Sequence, residues 1–482
     1  MASRPAMSIE EIIRRKVSSL RYWKKSNLYR KHSNWKFQFS VMTYNILSQT
    51  AVDNHRYLYR NCNPSFLREN YRVSMVLPEI MHSKSDIVCL QEVEQFVYEA
   101  RLKNILEQRG FGSIFMKRTC NKTDGCAIFW RQDKFQLVGQ NGIEFQTKDA
   151  EILNRDNIGL IAVLKPNHRN AGNVLLHVAT THLLYNPKRG DIKMCQLRWL
   201  LAELERMALI DVKNDVRRYQ PVILCGDLNI QPHSPLYQFI ETGRINVANT
   251  TCGDLSGQIK NKNAGRPIRF ETLKLDKIGI NKGSRFENEP PKKHQKRKTQ
   301  PNQQVQKMPP NPRPTMVNNT GMSQHYGHPM VNMATCDPRF MHPVPLMQFH
   351  NHQPPNHKQS TPPPQHNPST GSSTVDGAKE SDSDETCFSH DFKLVPVYKF
   401  HNMSEGTIPI TSMVGDDAHT VDHIFYNVDI KRDNHSFREG VLKLLAWYTL
   451  LTKEDLKELG GLPNAGLGSD HICLGARFAI SL

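Results

Sequence analysis

Six short, mainly apolar runs constrain most strongly what this chain can fold into. The runs, four to six residues long, lie at 39–44, 87–90, 127–130, 160–164, 174–179 and 222–225. Such runs, each followed by polar residues, are typical of strands buried inside a protein. Segments with helical spacing of apolar residues lie between several of them, at 73–81, 98–108 and 191–212. Strands that alternate with helices around one core predict the α/β class with packed sheets.

One long segment of different composition interrupts this pattern of strands and helices. The pattern stops near Gly283 and resumes at Cys387. Residues 301–370 contain 15 of the chain's 29 prolines and seven of its 21 histidines. Such a segment cannot bury enough apolar surface to offset the entropy lost on ordering it. The sequence therefore predicts a disordered insertion at 286–385 within one domain, which is formed by residues 37–285 and 386–482.

The positive charge is concentrated in two segments. The formal net charge is +17, of which residues 1–40 contribute +8 and residues 291–370 contribute another +8. The rest of the chain is close to neutral, so we expect these two segments to add nonspecific contacts with a polyanion such as nucleic acid. The basic run at 291–298 is compatible with nuclear import, with nucleic-acid contact or with simple solubilisation, and the sequence leaves these three open.

The basic N-terminal extension, residues 1–36, is predicted to contain a helix. Ser8 and Glu11 have the spacing of a capping box, and apolar residues then recur at helical intervals as far as Leu20. The early acidic residues Glu10 and Glu11 favour a solvated surface helix over a mitochondrial targeting helix.

Composition also argues against several classes of protein. The most apolar stretch, residues 441–451, is only eleven residues long and contains Lys443, whereas a transmembrane helix needs about 20 apolar residues. We therefore expect no membrane span, and a location in the cytoplasm, the nucleus or both. The chain has no Cys-x-x-Cys spacing, which argues against a zinc or thioredoxin-type site.

Polar side chains follow strand-like runs at five places. Strand ends at one edge of a sheet converge, so residues that are far apart in sequence can form one site. Carboxylate, amide and imidazole groups suit a divalent metal and a phosphate. The residues are Asn45, Glu92, His182, Asp227 with Asn229, and Asp470 with His471.

Seven short motifs, taken in order, resemble those of the endonuclease/exonuclease/phosphatase family. They lie at 42–47 (MTYNIL), 90–93 (LQEV), 124–129 (DGCAIF), 181–183 (THL), 226–229 (GDLN), 421–425 (VDHIF) and 469–471 (SDH). The resemblance covers about residues 37–285 and 386–482. It implies a four-layered α/β sandwich of the DNase I-like type, in which two packed mixed β-sheets are flanked by helices.

Within that family, three further stretches resemble the Angel proteins, which are related to nocturnin and to messenger-RNA deadenylases. The stretches are residues 48–49, 181–193 and 234–237. The resemblance implies RNA 3′ ends as the substrate, and we expect hydrolysis of a 2′,3′-cyclic phosphate. The alternatives are 3′-to-5′ removal of poly(A) and a protein that binds RNA or translation factors with little activity.

Hydrolysis of a phosphoester needs a hard cation, because charge accumulates on the phosphoryl and leaving oxygens. Glu92 is the expected ligand of Mg²⁺, with Mn²⁺ as a substitute, since Mg²⁺ takes oxygen ligands and usually one or two carboxylates. We expect Asn45 to orient that carboxylate or to contact the metal or the phosphate. Asp470 is the expected second metal contact.

The remaining polar residues have expected roles in proton transfer and phosphate binding. Asp227 is expected to orient or deprotonate water, while Asn229 donates to a phosphoryl oxygen. His471 is expected to stabilise the transition state or to protonate the leaving group, with Asp422 fixing its tautomer. His182 is expected to donate to the scissile phosphate.

Three further residues are expected near the substrate. Asn157 matches a family position close to the site. Asn186 and Arg189 lie in the loop that follows His182, where each either contacts substrate or shapes the loop.

Deletion of residues 291–370 is expected to weaken salt-sensitive capture of RNA while leaving turnover of a short substrate largely intact. The reason is that this segment carries much of the positive charge and none of the expected site residues. Binding at two salt concentrations and turnover of the same preparations check this. A large loss of turnover on the short substrate would contradict it.

Overall fold

The computed structural model of this chain describes residues 7–32, 37–259, 265–287, 386–399, 409–431 and 436–481. The disordered insertion predicted at 286–385 lies outside these residues, apart from 286 and 287. The basic run at 291–298 lies outside them as well.

The helices of the described chain are short, apart from three. They are α1 (Ile9–Leu20), α2 (Asn27–His32), α3 (Gln49–Asn54), α4 (Glu69–Ser83), α5 (Gln95–Val97), α6 (Asn104–Glu107), α7 (Gly190–Ala208), α8 (Pro235–Thr242) and α9 (Lys453–Glu458). A π-helical segment, Tyr98–Lys103, joins α5 to α6. None of the helices in the described ranges has the length and apolarity to cross a membrane.

The strands of the described chain are distributed over both halves of the domain. They are β1 (Trp23–Lys25), β2 (Phe37–Asn45), β3 (Ile87–Glu94), β4 (Phe111–Lys117), β5 (Asp124–Arg131), β6 (Phe135–Gln146), β7 (Asn154–Pro166), β8 (Leu176–His182), β9 (Leu209–Lys213), β10 (Val216–Tyr219), β11 (Val222–Asp227), β12 (Arg244–Asn246), β13 (Cys387–Ser389), β14 (Leu394–Pro396), β15 (Ser412–Val414), β16 (Asp417–His419), β17 (Asp422–Asn427), β18 (Ile430–Lys431), β19 (Phe437–Arg438), β20 (Leu442–Tyr448) and β21 (Leu474–Ile480). Five of the six apolar runs lie within one of these strands, and the run at 174–179 begins two residues before β8.

Two mixed sheets form the centre of the fold. The first has the strand order β1-β20-β21-β2-β3-β5-β4, and the second has the order β14-β17-β11-β8-β7-β6. The described part of each sheet contains a parallel pair between antiparallel neighbours: β2 with β3, and β8 with β11. The chain crosses between the strands of each pair through a helix, α4 in the first sheet and α7 in the second, because a tight turn cannot join parallel strands.

Apolar side chains on both faces of the sheets define the layers. In β2, Phe39 and Val41 lie in the core between the two sheets, whereas Met42 and Tyr44 face a cluster that includes Val76 of α4. This period of two is expected for a strand with apolar layers on both sides. Helices α7 and α8 cover the outer face of the second sheet in the same way. The predicted four-layered α/β sandwich is therefore confirmed.

The N-terminal helix packs against the domain. In α1, the Ser8 side chain accepts a hydrogen bond from the Glu11 amide, as its capping spacing predicts. The partly buried residues of its apolar stripe, Ile13, Val17 and Leu20, lie on a cluster of residues from the C-terminal part of the chain. Strand β1 then extends the first sheet by pairing with β20. No residue of α1 is fully buried, so it is a surface helix, and the partner of its apolar stripe could not be predicted because periodicity does not reveal distant contacts.

Helix α7 is shorter than its sequence pattern predicts. The pattern continues to residue 212, whereas the helix ends at Ala208 and β9 follows directly. The chain reverses at Asn214 and Asp215, whose φ angles are 48° and 60°, and returns as β10. Two successive left-handed residues form the tight turn that matches the twist of a hairpin. Turn chemistry therefore decides where this helix stops.

Two histidines are buried as neutral rings in the second sheet region. The Nε2 atom of His390 lies 3.0 Å from the Phe239 carbonyl oxygen, and that of His423 lies 2.8 Å from the Ile230 carbonyl oxygen. Burial lowers the pKa of each ring to about 4, whereas a histidine in an unfolded chain titrates near 6.5. Between these two values the unfolded state binds protons that the folded state does not.

The free energy of unfolding is expected to decrease as the pH falls from about 6.5 towards 4, because acid then favours the unfolded chain. Each histidine contributes a slope of up to about 1.4 kcal/mol per pH unit. The variants His390→Gln and His423→Gln should each flatten the profile by about that amount in urea unfolding at several pH values. If the free energy of unfolding depends on pH in the same way in the variants and in the unmodified chain, the expected contribution of these histidines is contradicted.

Candidate active site

The carboxyl ends of both parallel strand pairs meet at one place. Asn45 ends β2 and Glu92 lies near the end of β3, while His182 and Asp227 end β8 and β11. Asp227 is in register with His182 on one side and with Asp422 of β17 on the other. In α/β sheets the carboxyl ends of parallel strands are the usual place for a ligand. The structure thus brings together side chains that the sequence placed at strand ends.

The Asn45 side chain joins the two sheets. Its Nδ2 atom donates to Glu92 Oε1 at 3.0 Å and to Asp227 Oδ2 at 3.1 Å, and lies 3.4 Å from His471 Nε2. Its Oδ1 atom accepts a hydrogen bond from the Leu47 amide at 3.0 Å, which decides the orientation of the amide group. Asn45 is fully buried, so this contact fixes the distance between the carboxylates of the two sheets.

Glu92 is held as an ionised carboxylate. Its Oε2 atom accepts hydrogen bonds from the Ser48 amide at 3.0 Å and the Ser48 hydroxyl at 3.2 Å. Burial alone raises the pKa of Glu92, but His182 and the donors on Ser48 and Asn45 outweigh it and lower the pKa to about 2. The backbone of Glu92 is left-handed, with φ 55°. Glu92 lies at the point where the pairing register between β3 and β5 shifts. A residue without glycine's freedom is strained there, and such strain clusters at functional sites.

Asp227 lies between two histidines. Its Oδ2 atom is 3.4 Å from His182 Nε2 and 3.7 Å from His471 Nε2. Burial raises the pKa of Asp227, with the charge of Asp422 adding to the effect and the two histidines opposing it. Its Oδ1 atom accepts a hydrogen bond from the Asn229 amide at 3.1 Å. Asp227 is therefore placed to exchange a proton with a group that enters between the two rings.

Asn229 follows Asp227 in a left-handed turn with φ 51°. Its Nδ2 atom donates to the Leu183 carbonyl oxygen at 3.1 Å. An amide nitrogen carries two hydrogens, so one remains to donate elsewhere. The turn thus places a second donor beside the Asp227 carboxylate.

His471 and Asp422 form a buried ion pair. Nδ1 of His471 lies 2.8 Å from Asp422 Oδ2, so this nitrogen donates and Nε2 faces Asp227. Burial alone lowers the pKa of His471, but Asp422 and the other nearby carboxylates raise it well above its ordinary value. Among the described residues, Asp422 Oδ1 is a buried atom without a hydrogen-bond partner. The pair provides a protonated imidazole next to Asp227.

The site offers oxygen ligands for a divalent metal. Burial raises the pKa of Asp470; the charge of His471 opposes this effect and the charge of Glu92 adds to it. The Tyr59 hydroxyl donates to Asp470 Oδ2 at 2.8 Å. Ligand atoms of Asp227, Asp422 and His471 also lie within 4.8 Å of one another, but their mutual ion pair already occupies the imidazole. Carboxylates are the ligands that a hard cation prefers, and the assignment of Glu92 and Asp470 as its ligands stays a prediction.

The three residues expected near the substrate contact the protein itself. Asn157 donates to the His182 carbonyl oxygen at 3.0 Å and accepts from Gln196 at 3.1 Å. Arg189 forms a two-pronged ion pair with the Asp191 carboxylate, with N–O distances of 2.9 and 3.0 Å. Asn186 Oδ1 accepts from the Lys188 amide at 2.9 Å and closes a turn in the loop after His182. These contacts shape the loop, and substrate binding by the three residues stays a prediction.

The sequence prediction missed two buried cations beside the site. Arg72 of α4 and Lys193 of α7 are almost completely buried, at 2% and 0% exposure. Both contact the backbone of turns that carry site residues. A single basic residue in a helical segment is usually solvated, so only the structure distinguishes these two from surface lysines and arginines.

Comparison with known proteins agrees with this geometry. A model of the Endonuclease/Exonuclease/phosphatase family matches residues 42–471. Protein angel homolog 2 of Homo sapiens is 33% identical over 453 residues, which cover 93% of this chain and 70% of that protein. Protein angel homolog 1 of Homo sapiens is 31% identical over 467 residues, which cover 92% of this chain and 63% of that protein.

A solved structure extends the comparison to the fold. The crystal structure of ANGEL2, a 2′,3′-cyclic phosphatase, in complex with adenosine-2′,3′-vanadate is 30% identical in sequence and gives a TM-score of 0.67. The match covers 96% of this chain and 99% of that chain. From its motifs, its fold and these relatives, the chain belongs to the endonuclease/exonuclease/phosphatase family and, within it, to the angel homologues.

Proposed function

We propose that this chain hydrolyses 2′,3′-cyclic phosphates at RNA 3′ ends with the help of a divalent metal. The observation that carries the proposal is the junction of the two sheets, where Asn45 contacts the ionised Glu92 and also Asp227, beside two histidines. Metal ligand, proton acceptor and proton donor lie there within a few ångströms. The similarity to a structure described as a 2′,3′-cyclic phosphatase supports the substrate class.

Glu92 and Asp470 would hold the metal, with Asn45 orienting the Glu92 carboxylate. Mg²⁺ is the first choice because it takes oxygen ligands and keeps several waters, and Mn²⁺ accepts the same ligands. When bound, such a cation neutralises negative charge that develops on the phosphoryl oxygens.

The chain's own donors would bind the phosphate. The Asn229 side-chain amide has a second hydrogen besides the one donated to Leu183, and His182 Nε2 lies 3.4 Å from Asp227; both would donate to the phosphate. Donors fixed in a largely buried site stabilise the extra negative charge of the transition state more than water does, because they need no reorientation during the reaction.

Two proton transfers complete the proposed reaction. Water attacks phosphorus and forms a new P–O bond while Asp227 takes its proton. The bond from phosphorus to one ribose oxygen breaks, and that oxygen takes a proton from Nε2 of His471. The product carries a phosphomonoester on the neighbouring ribose oxygen. Asp422 keeps the imidazole protonated before this step and oriented during it.

Turnover of two RNA substrates by the Asp227→Asn variant and the unmodified chain tests the proposal. One is a short RNA with a 2′,3′-cyclic phosphate, and the other is the same RNA with a poly(A) tail and a free 3′ hydroxyl. We expect Mg²⁺-dependent hydrolysis of the cyclic end, and a loss of about 10²–10⁴-fold in kcat in the variant. Asp133→Asn, at an exposed aspartate paired with Arg131, is the matched control and should keep full activity.

Each other outcome overturns the proposal in a defined way. Shortening of poly(A) with an intact cyclic end would assign a deadenylase instead. If neither substrate reacts with Mg²⁺ or Mn²⁺ while both RNAs bind, the chain would be an RNA-binding protein.

The Asp422→Asn variant tests the role of His471 as the proton donor. We expect kcat on the cyclic-phosphate RNA to fall by about 100-fold or more, because the imidazole loses the negative charge 2.8 Å from Nδ1 that keeps it protonated. On a nitrophenyl phosphodiester the loss should stay within about tenfold, since nitrophenolate leaves without a proton. Equal losses on the two substrates would show that His471 does not protonate the leaving oxygen.

A further inference from the structure

Two buried cations occupy the same place in the two crossover helices. Arg72 is the fourth residue of α4 and Lys193 is the fourth residue of α7. Each helix connects the two strands of a parallel pair whose ends carry site residues. Neither cation forms an ion pair within the described part of the chain, and both donate to uncharged oxygens.

Arg72 holds the turn that follows β2. Its Nη1 atom donates to the carbonyl oxygens of Ile46, at 3.1 Å, and of Leu47. Its Nη2 atom donates to Gln49 Oε1 at 3.0 Å. Leu47 is left-handed, with φ 58°, a conformation that is strained for a side chain of this size. The guanidinium group therefore stabilises a turn that the sequence disfavours.

That turn presents two amides to the metal side of the site. The Leu47 amide donates to Asn45 Oδ1, and the Ser48 amide donates to Glu92 Oε2. Both hydrogen bonds depend on the path of the backbone through Leu47. A shift of this turn would change the orientation of the Asn45 amide and of the Glu92 carboxylate together.

Lys193 holds the corresponding turn after β11. Its Nζ atom donates to the Asn229 carbonyl oxygen at 2.8 Å and also to Gln258 Oε1. Asn229 is left-handed, with φ 51°, and its amide donates to Asp227 Oδ1. The ammonium group thus fixes the turn that aims both the proton acceptor and the phosphate donor.

We propose that Arg72 and Lys193 are positioning residues, each of which clamps the carbonyl oxygen of a strained, left-handed residue and so aims one half of the site. Burial of a cation among uncharged oxygens is costly, and burial lowers the pKa of Lys193 to about 7. If the side chain only had to fill this space, methionine would suffice, because it has a similar length and no charge. The kinetic part of this proposal rests on the proposed function.

The two cations should have separable effects. Replacement of Lys193 by Met should lower kcat on the cyclic-phosphate RNA by about 10–100-fold and leave metal affinity unchanged, because its turn carries Asp227 and Asn229. Replacement of Arg72 by Met should weaken binding of Mn²⁺, measured by electron paramagnetic resonance without substrate, by about tenfold or more. Arg72→Lys should recover part of this affinity, since an amine reaches some of the same oxygens.

Arg198 offers a matched control on α7. It is fully buried, and its guanidinium group donates to the carbonyl oxygens of Leu273 and Asn281 at 2.6 and 2.7 Å, which belong to no site residue. Arg198→Met should lower the free energy of unfolding while kcat per folded molecule and Mn²⁺ affinity stay unchanged. Comparison of Arg198→Met with Lys193→Met and Arg72→Met distinguishes the general effect of losing a buried cation from the specific effect of losing a hydrogen bond to a turn of the site.

Hydrogen exchange provides a readout that is independent of activity. The amide of Asn229 should exchange at least about tenfold faster in Lys193→Met, and that of Leu47 in Arg72→Met, while both stay protected in Arg198→Met. If the unmodified chain hydrolyses no cyclic phosphate, the proposed function fails and exchange alone decides the positioning role.

Three results would overturn the positioning role. Unchanged exchange at Asn229 and Leu47 in the folded variants is the first. The second is a loss of kcat in Arg198→Met as large as in Lys193→Met. The third is that Lys193→Met and the milder Lys193→Gln both fail to fold while Arg198→Met folds, because Lys193 would then support the scaffold.

Discussion

The site depends on one contact between the sheets: the Asn45 amide, which donates to a carboxylate in each of them. It can do so because both sheets direct the carboxyl ends of a parallel strand pair to the same edge. Packing of the sheets brings Glu92 and Asp227 together, and the cost of placing two buried carboxylates side by side is offset by Asn45 and the two histidines. Any change that slides one sheet against the other would separate the Glu92 and Asp227 carboxylates.

Three of the nine left-handed non-glycine residues in the described chain lie at or next to the site. Leu47, Glu92 and Asn229 all have φ between 51° and 58°, although none is a glycine. A strand alternates its side chains between two faces, so a residue that has to point along the edge of the sheet must leave the regular conformation. The donors that hold the turns at Leu47 and Asn229 come from the crossover helices α4 and α7. The layers that build the core therefore also stabilise the irregular backbone of the site.

Much of the fold could be predicted from the sequence, because the six apolar runs are local signals and each overlaps a strand. The strand-end residues were also visible, since Asn45, Glu92 and Asp227 follow such runs within two residues. Contacts between distant segments were not visible. The partner of the apolar stripe of α1, the true end of α7 at Ala208 and the burial of Lys193 each depend on residues that are remote in sequence or on turn chemistry. For the same reason the roles of Asn186 and Arg189 stay open.

The pairing of β2 with β21 has a consequence for synthesis of the protein. Phe37 lies opposite Ile480, and β2 has β21 on one side and β3 on the other. During translation, β2 leaves the ribosome long before its antiparallel neighbour β21 is made, so its apolar edge stays open until β21 has emerged. His471 lies just ahead of β21. A nascent chain that has not yet reached β21 therefore has neither this imidazole in place nor a complete first sheet.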